Sequence, residues 1–381
     1  MLSFWEKNSF ITYDVIVIGG GIVGLSTAAA LIEQNPSKHI LVIERGALPT
    51  GASTKNAGFA CFGSLTELLA DLKTMTQEQV LSLVEMRWKG LLQLRQRLGD
   101  QHIGYEPAGG YELISQYQLS SLEHLEQINH LLFEIFGQEV FSLKNDDIKG
   151  FGFAPEHVKA LVFNPLEGLI DTGLMMKNLW RYITERGVHV ITGCQVYQLS
   201  QQQGEMTGVH CRTLEQEIEF QARQVAICTN AFAIELFPEL DIVPGRGQVL
   251  ITEPIENLRL RGGFHMDQGY YYFRNVGKRV LFGGGRNEDF AGETTLEFGV
   301  TPLIMNLLEE KLRTVILPYT NFRIAMRWAG IMAFGSTKQP IVKPLSTLPG
   351  VYLGVRMGGM GVAIGSLIGE QLATMMYQQT K

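Results

Sequence analysis

DVIVIGGGIVGLSTAAALIEQ, residues 14–34, followed by ILVIERG at 40–46, decides the fold of this 381-residue chain. Asp14 to Ile18 is a short, apolar, β-branched run, as expected of a parallel strand buried on both faces. Leu25 to Gln34 passes from small residues to good helix formers, Pro36 stops it, and Ile40 to Ile43 is a second strand ending at Glu44. Gly19-x-Gly21-x-x-Gly24 lies between strand and helix, which is the context that makes it a dinucleotide fingerprint. Gly19 permits the tight turn, Gly21 lets backbone approach a pyrophosphate, and Gly24 lets the helix pack on the strand. The N-terminus of the helix that follows faces the phosphates with free N–H groups and a positive dipole end. Glu44, about 20 residues on, can accept hydrogen bonds from a ribose hydroxyl pair. The fingerprint alone does not separate a flavin dinucleotide from NAD(P). Arg45 would suit a 2′-phosphate, although the acid before it opposes that charge.

A chain of this length suits two domains or one large α/β unit. A hydrophobic fraction of 45% and a charged fraction of 18% exclude disordered and fibrous classes. A net charge of −6, with no dense Lys/Arg run, speaks against a nucleic-acid partner. The start, MLSFWEKNSFITYD, lacks the pattern of a signal peptide, and the longest apolar stretch is broken by glycines, so no transmembrane segment is expected. Cys61, Cys194, Cys211 and Cys228 are scattered without a C-x-x-C pair. No metal is therefore expected, and a reducing, cytoplasmic location follows.

Beyond the first β-α-β unit, Leu65 to Leu98 reads as two amphipathic helices with a break near Thr74–Thr76. Tyr105 to Ser115 reads as a strand pair with a glycine turn, Ser120 to Phe136 as a helix, and Asp171 to Gly187 as another. Strands follow at His189–Ile191, Val196–Leu199, Val209–Thr213 and Gln224–Cys228. Between Ile242 and Trp328 several strands and the helix Pro302 to Leu312 suit a mostly antiparallel sheet. Val351 to Val355 is a last buried strand and Ala363 to Tyr377 a last helix. The expected fold class is α/β plus α+β, a Rossmann-like cofactor domain (1–85, 156–235, 328–381) interleaved with a second domain (86–155, 236–327) built on a mostly antiparallel sheet.

Two further glycine-rich stretches carry weaker signals. GASTKNAGFACFG, residues 51–63, offers backbone N–H groups with Ser53, Thr54 and Asn56 as donors, and Lys55 as a counter-charge; read alone, it is better taken as a flexible surface loop. Arg356 to Gly361, RMGGMG, is a second strand-to-helix turn whose dipole can stabilise negative charge on a ring carbonyl.

These segments, taken in order, resemble the D-amino-acid oxidase superfamily of FAD-dependent oxidoreductases, which includes glycine, sarcosine and γ-glutamylputrescine oxidases. The fingerprint with IERG resembles the family's FAD-adenosine site, and GASTKNAGF at 51–59 its flavin-contacting segment. CTNAFA at 228–233, PGRGQ at 244–248, VLFGGG at 280–285, WAGIMAF at 328–334 and GVRMGGMG at 354–361 complete the likeness. The resemblance implies that FAD is held, non-covalently, by Gly19, Gly21, Ile22, Val23, Gly24, Glu44 and Arg45. To these it adds Ala52, Ser53, Thr54, Asn56, Ala57, Gly58 and Phe59, with Val196 at the adenine and Thr229, Asn230 and Ala231 after the sheet. Gly330, Arg356, Gly358, Gly359, Met360 and Gly361 close the set. It further implies hydride transfer from a small amine or amino acid to flavin N5, an imine that hydrolyses, and oxygen or a quinone-type carrier as reoxidant.

One departure bears on substrate. Where the amino-acid oxidases carry an arginine that clamps the substrate carboxylate, this chain has Met332, followed by Ala333, and a thioether cannot form a bidentate carboxylate pair. That wording is closer to the γ-glutamylputrescine oxidase branch, which oxidises an amine, and speaks against a simple α-amino acid as substrate. Arg327, Arg274, Arg286 and Arg356 are possible replacements, Arg356 the best placed. Gln248 and Tyr272 are further pocket candidates, since strand alternation sends Tyr270 and Tyr272 one way and Tyr271 the other. His265 and Met266 read as core or surface fillers, and Cys61 as a buried free cysteine rather than a flavin thioether. An NAD(P)-dependent dehydrogenase and a non-catalytic flavin-binding protein stand as alternatives.

Overall fold

The structure, a computed structural model, describes residues 2–202 and 205–378; Met1 of the N-terminal stretch lies outside them. Its first sheet is laid down by strands whose two faces alternate between two apolar layers. In the strand Thr12–Ile18, Val15 and Val17 pack into one core while Ile16 and Ile18 pack into the other. Ile40–Ile43 divides the same way, Ile40 and Val42 against Leu41 and Ile43. Such strands must be covered on both sides. The sheet order is Ile341–Pro344, Val351–Val355, Glu217–Ile227, Thr12–Ile18, Ile40–Ile43, His189–Ile191, parallel except at the first edge. Gln195–Gln201 and Thr207–Arg212 extend it as an antiparallel ribbon folded on Glu217–Ile227.

Four helices cover one face: Ile22–Gln34, Gln77–Leu98, Thr172–Thr184 and Gly361–Gln378. Close approach of the first and last needs glycine: a Cβ on Gly365 would lie 2.7 Å from Ile22 Cγ2, and one on Gly369 2.6 Å from Ser26 Cβ. The break expected near Thr74–Thr76 lies between Leu65–Asp71 and Gln77–Leu98, and Thr76 ends it as a capping box with Gln79. Asp171 likewise caps Thr172–Thr184 by accepting from Leu174 N.

The second sheet runs Ile324–Phe334, Val243–Thr252, Arg279–Gly284, Tyr271–Val276, Gly263–Met266, Gly110–Ile114, Ala160–Asn164, Ser142–Leu143. Every pairing is antiparallel except Gly263–Met266 with Gly110–Ile114. The two sheets thus draw on separated segments, and no helix among the described residues is long and apolar enough to cross a membrane.

Several expectations shift. The boundary at 85/86 falls inside Gln77–Leu98, one continuous helix whose Val80 and Val84 join a different core from Leu91 and Leu94. Ala160–Asn164 and the whole of Ile324–Phe334 pair into the second sheet, so the boundaries at 155/156 and 327/328 also move. Tyr105–Ser115 yields one strand, Gly110–Ile114, because Glu106 bridges Leu169 instead of folding back. The helix from Ser120 is a 3-10 segment, Gln116–His124, before it becomes α-helical at Leu125–Phe136.

Gly24 is the tightest point of the fingerprint, since a Cβ there would meet the carbonyl oxygen of Gly19. Gly24→Ala should destabilise the chain by about 1–3 kcal/mol through overpacking. Gly150→Ala, whose methyl meets nothing within 4 Å, should not. Paired urea-denaturation curves read the difference, and equal midpoints would refute it.

Candidate active site

Between the two sheets lies a cavity of about 730 Å³. At one end its wall is made by the fingerprint: Gly19, Gly21, Ile22, Val23, Glu44, Arg45 and, across the sheet edge, Val196. Gly24 is not on the wall; it acts by letting the helix sit against Gly19. Glu44, 8% exposed, accepts from Gly20 N and Gly46 N, both at 2.9 Å, one through each oxygen. A carboxylate offers roughly four lone-pair sites, so capacity remains for a ribose. Arg45 lies 3.5 Å over the Phe232 ring and 3.6 Å from Glu235, which gives its charge a partner within the protein.

The middle of the wall is Ala52, Ser53, Asn56, Ala57, Gly58 and Phe59. Here the side chains serve the loop more than the space. Ser53 Oγ accepts from Ile22 N at 2.9 Å, so the first N–H of the fingerprint helix is already engaged. Thr54 is not on the wall, because its hydroxyl donates to Pro49 O at 2.6 Å. Asn56 donates to Ala52 O and Ser53 O and accepts from Gly58 N, which uses its amide locally. Thr229 and Asn230 reach the wall, whereas Ala231 is fully buried in the apolar layer behind it. Thr229 Oγ1 is buried without a hydrogen-bond partner. Asn230 Oδ1 accepts from Met357 N at 3.1 Å and so braces the turn Arg356–Gly361. Gly330, Arg356, Gly358, Gly359, Met360 and Gly361 line this side, and Gly358 N donates to Ala333 O at 2.9 Å.

The second sheet closes the space with Gly247, His265, Tyr270, Tyr272, Arg286 and Met332. Tyr271 points the other way and donates to Glu288, as strand alternation requires. Burial pushes the Tyr272 phenol up to about 12.

Four pocket candidates are otherwise occupied. Gln248 is buried off the wall, donating to Glu293 Oε1 (2.8 Å) and Thr301 Oγ1 (2.9 Å). Arg274 is a structural pin: its Nη1 donates to Gly58 O (2.9 Å) and Ile170 O (2.7 Å). Arg356 reaches the wall but directs Nε to Gln339 O, Nη1 to Asp241 O and Oδ2, and Nη2 to Thr337 Oγ1. Of its five N–H groups one is left, too few for a bidentate clamp. Arg327 pairs with Glu309 at 2.6 Å.

The fold also assembles a cluster that no spacing in the sequence announces. Cys61, Glu167 and His265, all buried, bring a thiol, a carboxylate and an imidazole within 4.8 Å of one another. Glu167 Oε2 meets His265 Nε2 at 3.3 Å and its Oε1 accepts from Phe62 N at 3.3 Å. Burial, then the charges of Glu167 and Glu67, push the Cys61 thiol well up. The carboxylate of Glu167 ties the three segments together through His265 and Phe62 N. A protonated thiol is a poor nucleophile toward a flavin.

The sequence profile of the family described as "FAD dependent oxidoreductase" matches residues 14–375. The gamma-glutamylputrescine oxidoreductase of Escherichia coli is 25% identical over 98% of this chain and 85% of its own length. The bifunctional protein ThiO/ThiG of Trichormus variabilis is 25% identical over 71% of the chain; the match spans 37% of that longer protein. Among solved structures, glycine oxidase from Geobacillus kaustophilus superposes with a TM-score of 0.77 at 17% identity, covering 97% of this chain and 95% of that one. L-proline dehydrogenase from P. horikoshii gives 0.76 at 18% identity, covering 97% and 94%. At such identities the superpositions speak for the fold alone. The family match sets aside the NAD(P) alternative.

Burial opposes protonation of His265, but the hydrogen bond and charge of Glu167, with Glu112 and Glu67 behind it, outweigh burial and raise its pKa. A raised folded pKa stabilises the protein below the unfolded value, near 6.5, and that contribution is lost as pH rises through the folded pKa. Thermal midpoints should therefore fall from pH 6 to pH 9 more steeply in the wild type than in His265→Gln. Parallel slopes would contradict the pairing.

Proposed function

The chain belongs to the FAD-dependent oxidoreductases, and we propose that it oxidises the C–N bond of a small amine or amino acid. The observation that carries this reading is the continuity of one cavity from the fingerprint turn to the face of the second sheet. The residues fit an extended FAD: Gly19, whose Cβ would lie 2.7 Å from Cys228 O, and Gly21 give a backbone cradle with no room for side chains. Thr229 Oγ1 is a buried polar atom awaiting a partner on the same wall. On this reading Glu44 takes the ribose, Val196 faces the adenine, and the segments 52–59, 330 and 356–361 surround the ring. The first sheet is then the cofactor domain and the second the substrate domain.

FAD bound there supplies a two-electron acceptor at N5 of its ring. The work of the chain is to orient and to exclude water. Phe59, Tyr272, Met332 and Met360 give the ring end of the cavity an apolar lining in which an amine can present its Cα–H. The chemistry the bound group would supply is removal of a hydride from the substrate carbon, so that the nitrogen lone pair would close a C=N bond that water would open to a carbonyl product with ammonia or an amine. The turn Arg356–Gly361, opening the helix Gly361–Gln378, aims a positive dipole end at charge building on the ring. The relatives support the reaction class: their names concern γ-glutamylputrescine, glycine and proline.

Mixed anaerobically with a panel of amines and amino acids, the flavin-loaded protein should lose its visible absorbance with at least one of them. Bleaching by none would leave a protein that binds flavin without catalysis. Admitting air or a quinone afterwards identifies the reoxidant. Because Cys61 is held as a thiol, acid precipitation should release the flavin into the supernatant. Colour retained in the pellet would overturn non-covalent binding.

A further inference from the structure

The short strand Phe59–Ala60 pairs antiparallel with Gly168–Leu169, Ala60 against Gly168. One step beyond the end of that ladder the register sets Cys61 opposite Glu167, and Phe62 N donates to Glu167 Oε1 at 3.3 Å. His265 arrives from the other side, on the strand Gly263–Met266 of the second sheet. Gly110, on the neighbouring strand, makes the room: a Cβ there would occupy the place of Glu167 Oε2. Strand register therefore brings a buried thiol, carboxylate and imidazole within 4.8 Å of one another.

These are the three donor types that zinc takes, and a thiolate among them disfavours magnesium and calcium. Glu167 Oε2 stands 3.3 Å from His265 Nε2. An oxygen and a nitrogen bound to one tetrahedral zinc ion lie roughly 3.3 Å apart, so this edge of the site is already formed. The Cys61 sulfur, within 4.8 Å of both, reaches its own position by a shift of about 1 Å or less, through its single side-chain torsion. It gives up only a weak hydrogen bond to Met360 Sδ at 3.8 Å. Charge closes as well: thiolate and carboxylate carry two negative charges, the imidazole is neutral, and a divalent ion leaves no net charge buried. Arg87, the cation that acts on Cys61, is committed to Phe62 O and Glu67. Glu112, the register partner of His265, adds negative charge behind the ring. Cys61 and His265 line the cavity whereas Glu167 stands off its wall, so an ion has a way in and a fourth position that faces water.

We propose that Cys61, Glu167 and His265 form a binding site for one zinc ion, open to the cavity at its fourth position. The site stands independently of the proposed amine oxidation. It revises the expectation of no metal drawn from scattered cysteines, since strand register and not C-x-x-C spacing assembles the ligands. Binding involves no oxidation: Sγ gives its proton to water, as does Nε2 if it carries one, and S–Zn, N–Zn and O–Zn bonds form. In the metal-free protein burial, then the charges of Glu167 and Glu67, keep the sulfur protonated. A dication beside it reverses that balance, because a coordinating thiol is deprotonated outright. The hydrogen bond between Glu167 and His265 belongs to the metal-free protein.

The test uses the flavin-loaded protein, treated with a chelator, titrated with zinc chloride or cobalt(II) chloride, and freed of loose ions by gel filtration. Wild type should retain one zinc ion per chain. Cobalt should give the red absorption of a four-coordinate ion, where flavin does not absorb, and a thiolate charge-transfer band in the near-ultraviolet difference spectrum. Cys61→Ser should abolish the charge-transfer band, and Cys61→Ser, Glu167→Gln and His265→Gln should each weaken zinc binding by about tenfold or more. His124→Gln, at an exposed position, should bind as the wild type does and so reports surface binding. Less than one zinc ion retained by wild type, a cobalt spectrum without the thiolate band, or unchanged affinity in Cys61→Ser would each overturn the site. If a ligand variant folds poorly, the wild-type cobalt spectrum decides alone. Zinc binding with no reducing amine would leave the site standing and sink the oxidation, whereas flavin reduction by an amine with no zinc binding would sink the site alone.

Discussion

The carboxylate of Glu44 is the contact on which the site depends. Nearly buried at the end of a central parallel strand, it accepts one N–H from Gly20 inside the fingerprint turn and one from Gly46 in the loop that follows. A buried carboxylate needs hydrogen bonds to replace its water, and here both come from backbone N–H groups, one in the glycine turn and one in the loop after the second strand. The same bonds fix the turn relative to the second strand and so fix the helix Ile22–Gln34. That helix in turn receives the closing helix across Gly365 and Gly369.

The cavity exists because the second sheet is held away from, yet pinned to, this frame. Arg274 performs the pinning: it extends from the second sheet to the carbonyls of Gly58 and Ile170, both outside that sheet. Trp328 Nε1 does the same in miniature by donating to Lys55 O at 3.0 Å. Arg356 braces the far side through Asp241 and Gln339. Two of these three donors, Arg274 and Arg356, are charged, and hydrogen bonds from charged donors are stronger than neutral ones.

Much of the frame was legible in the sequence because it follows from local rules. The strands Ile40–Ile43 and Val351–Val355 stand where their apolar runs predict, and the break near Thr74–Thr76 and the helix after Asp171 fall where the spacing of apolar residues places them. The wall of the cofactor end was legible for the same reason, as a fingerprint in a β-α-β context. The roles of polar side chains were not, since the partners that decide them lie far along the chain. Arg274, Gln248 and Arg356 read as free pocket groups until carbonyls and carboxylates more than a dozen residues away occupy them. Conversely, the Cys61, Glu167 and His265 cluster joins three segments with no shared spacing. Domain boundaries failed where a single helix or strand serves both cores, as Gln77–Leu98 does.

The central claim is that one continuous cavity holds the whole of an FAD, its adenosine at Glu44 and its ring beneath the second sheet. Diffraction from crystals of the flavin-loaded protein tests it most directly. The account predicts the ribose within hydrogen-bond distance of Glu44 and the flavin ring between the turn Arg356–Gly361 and the face that carries Tyr272 and Met332. Density for a ring elsewhere, or for an adenine nucleotide that stops at the fingerprint, would contradict it.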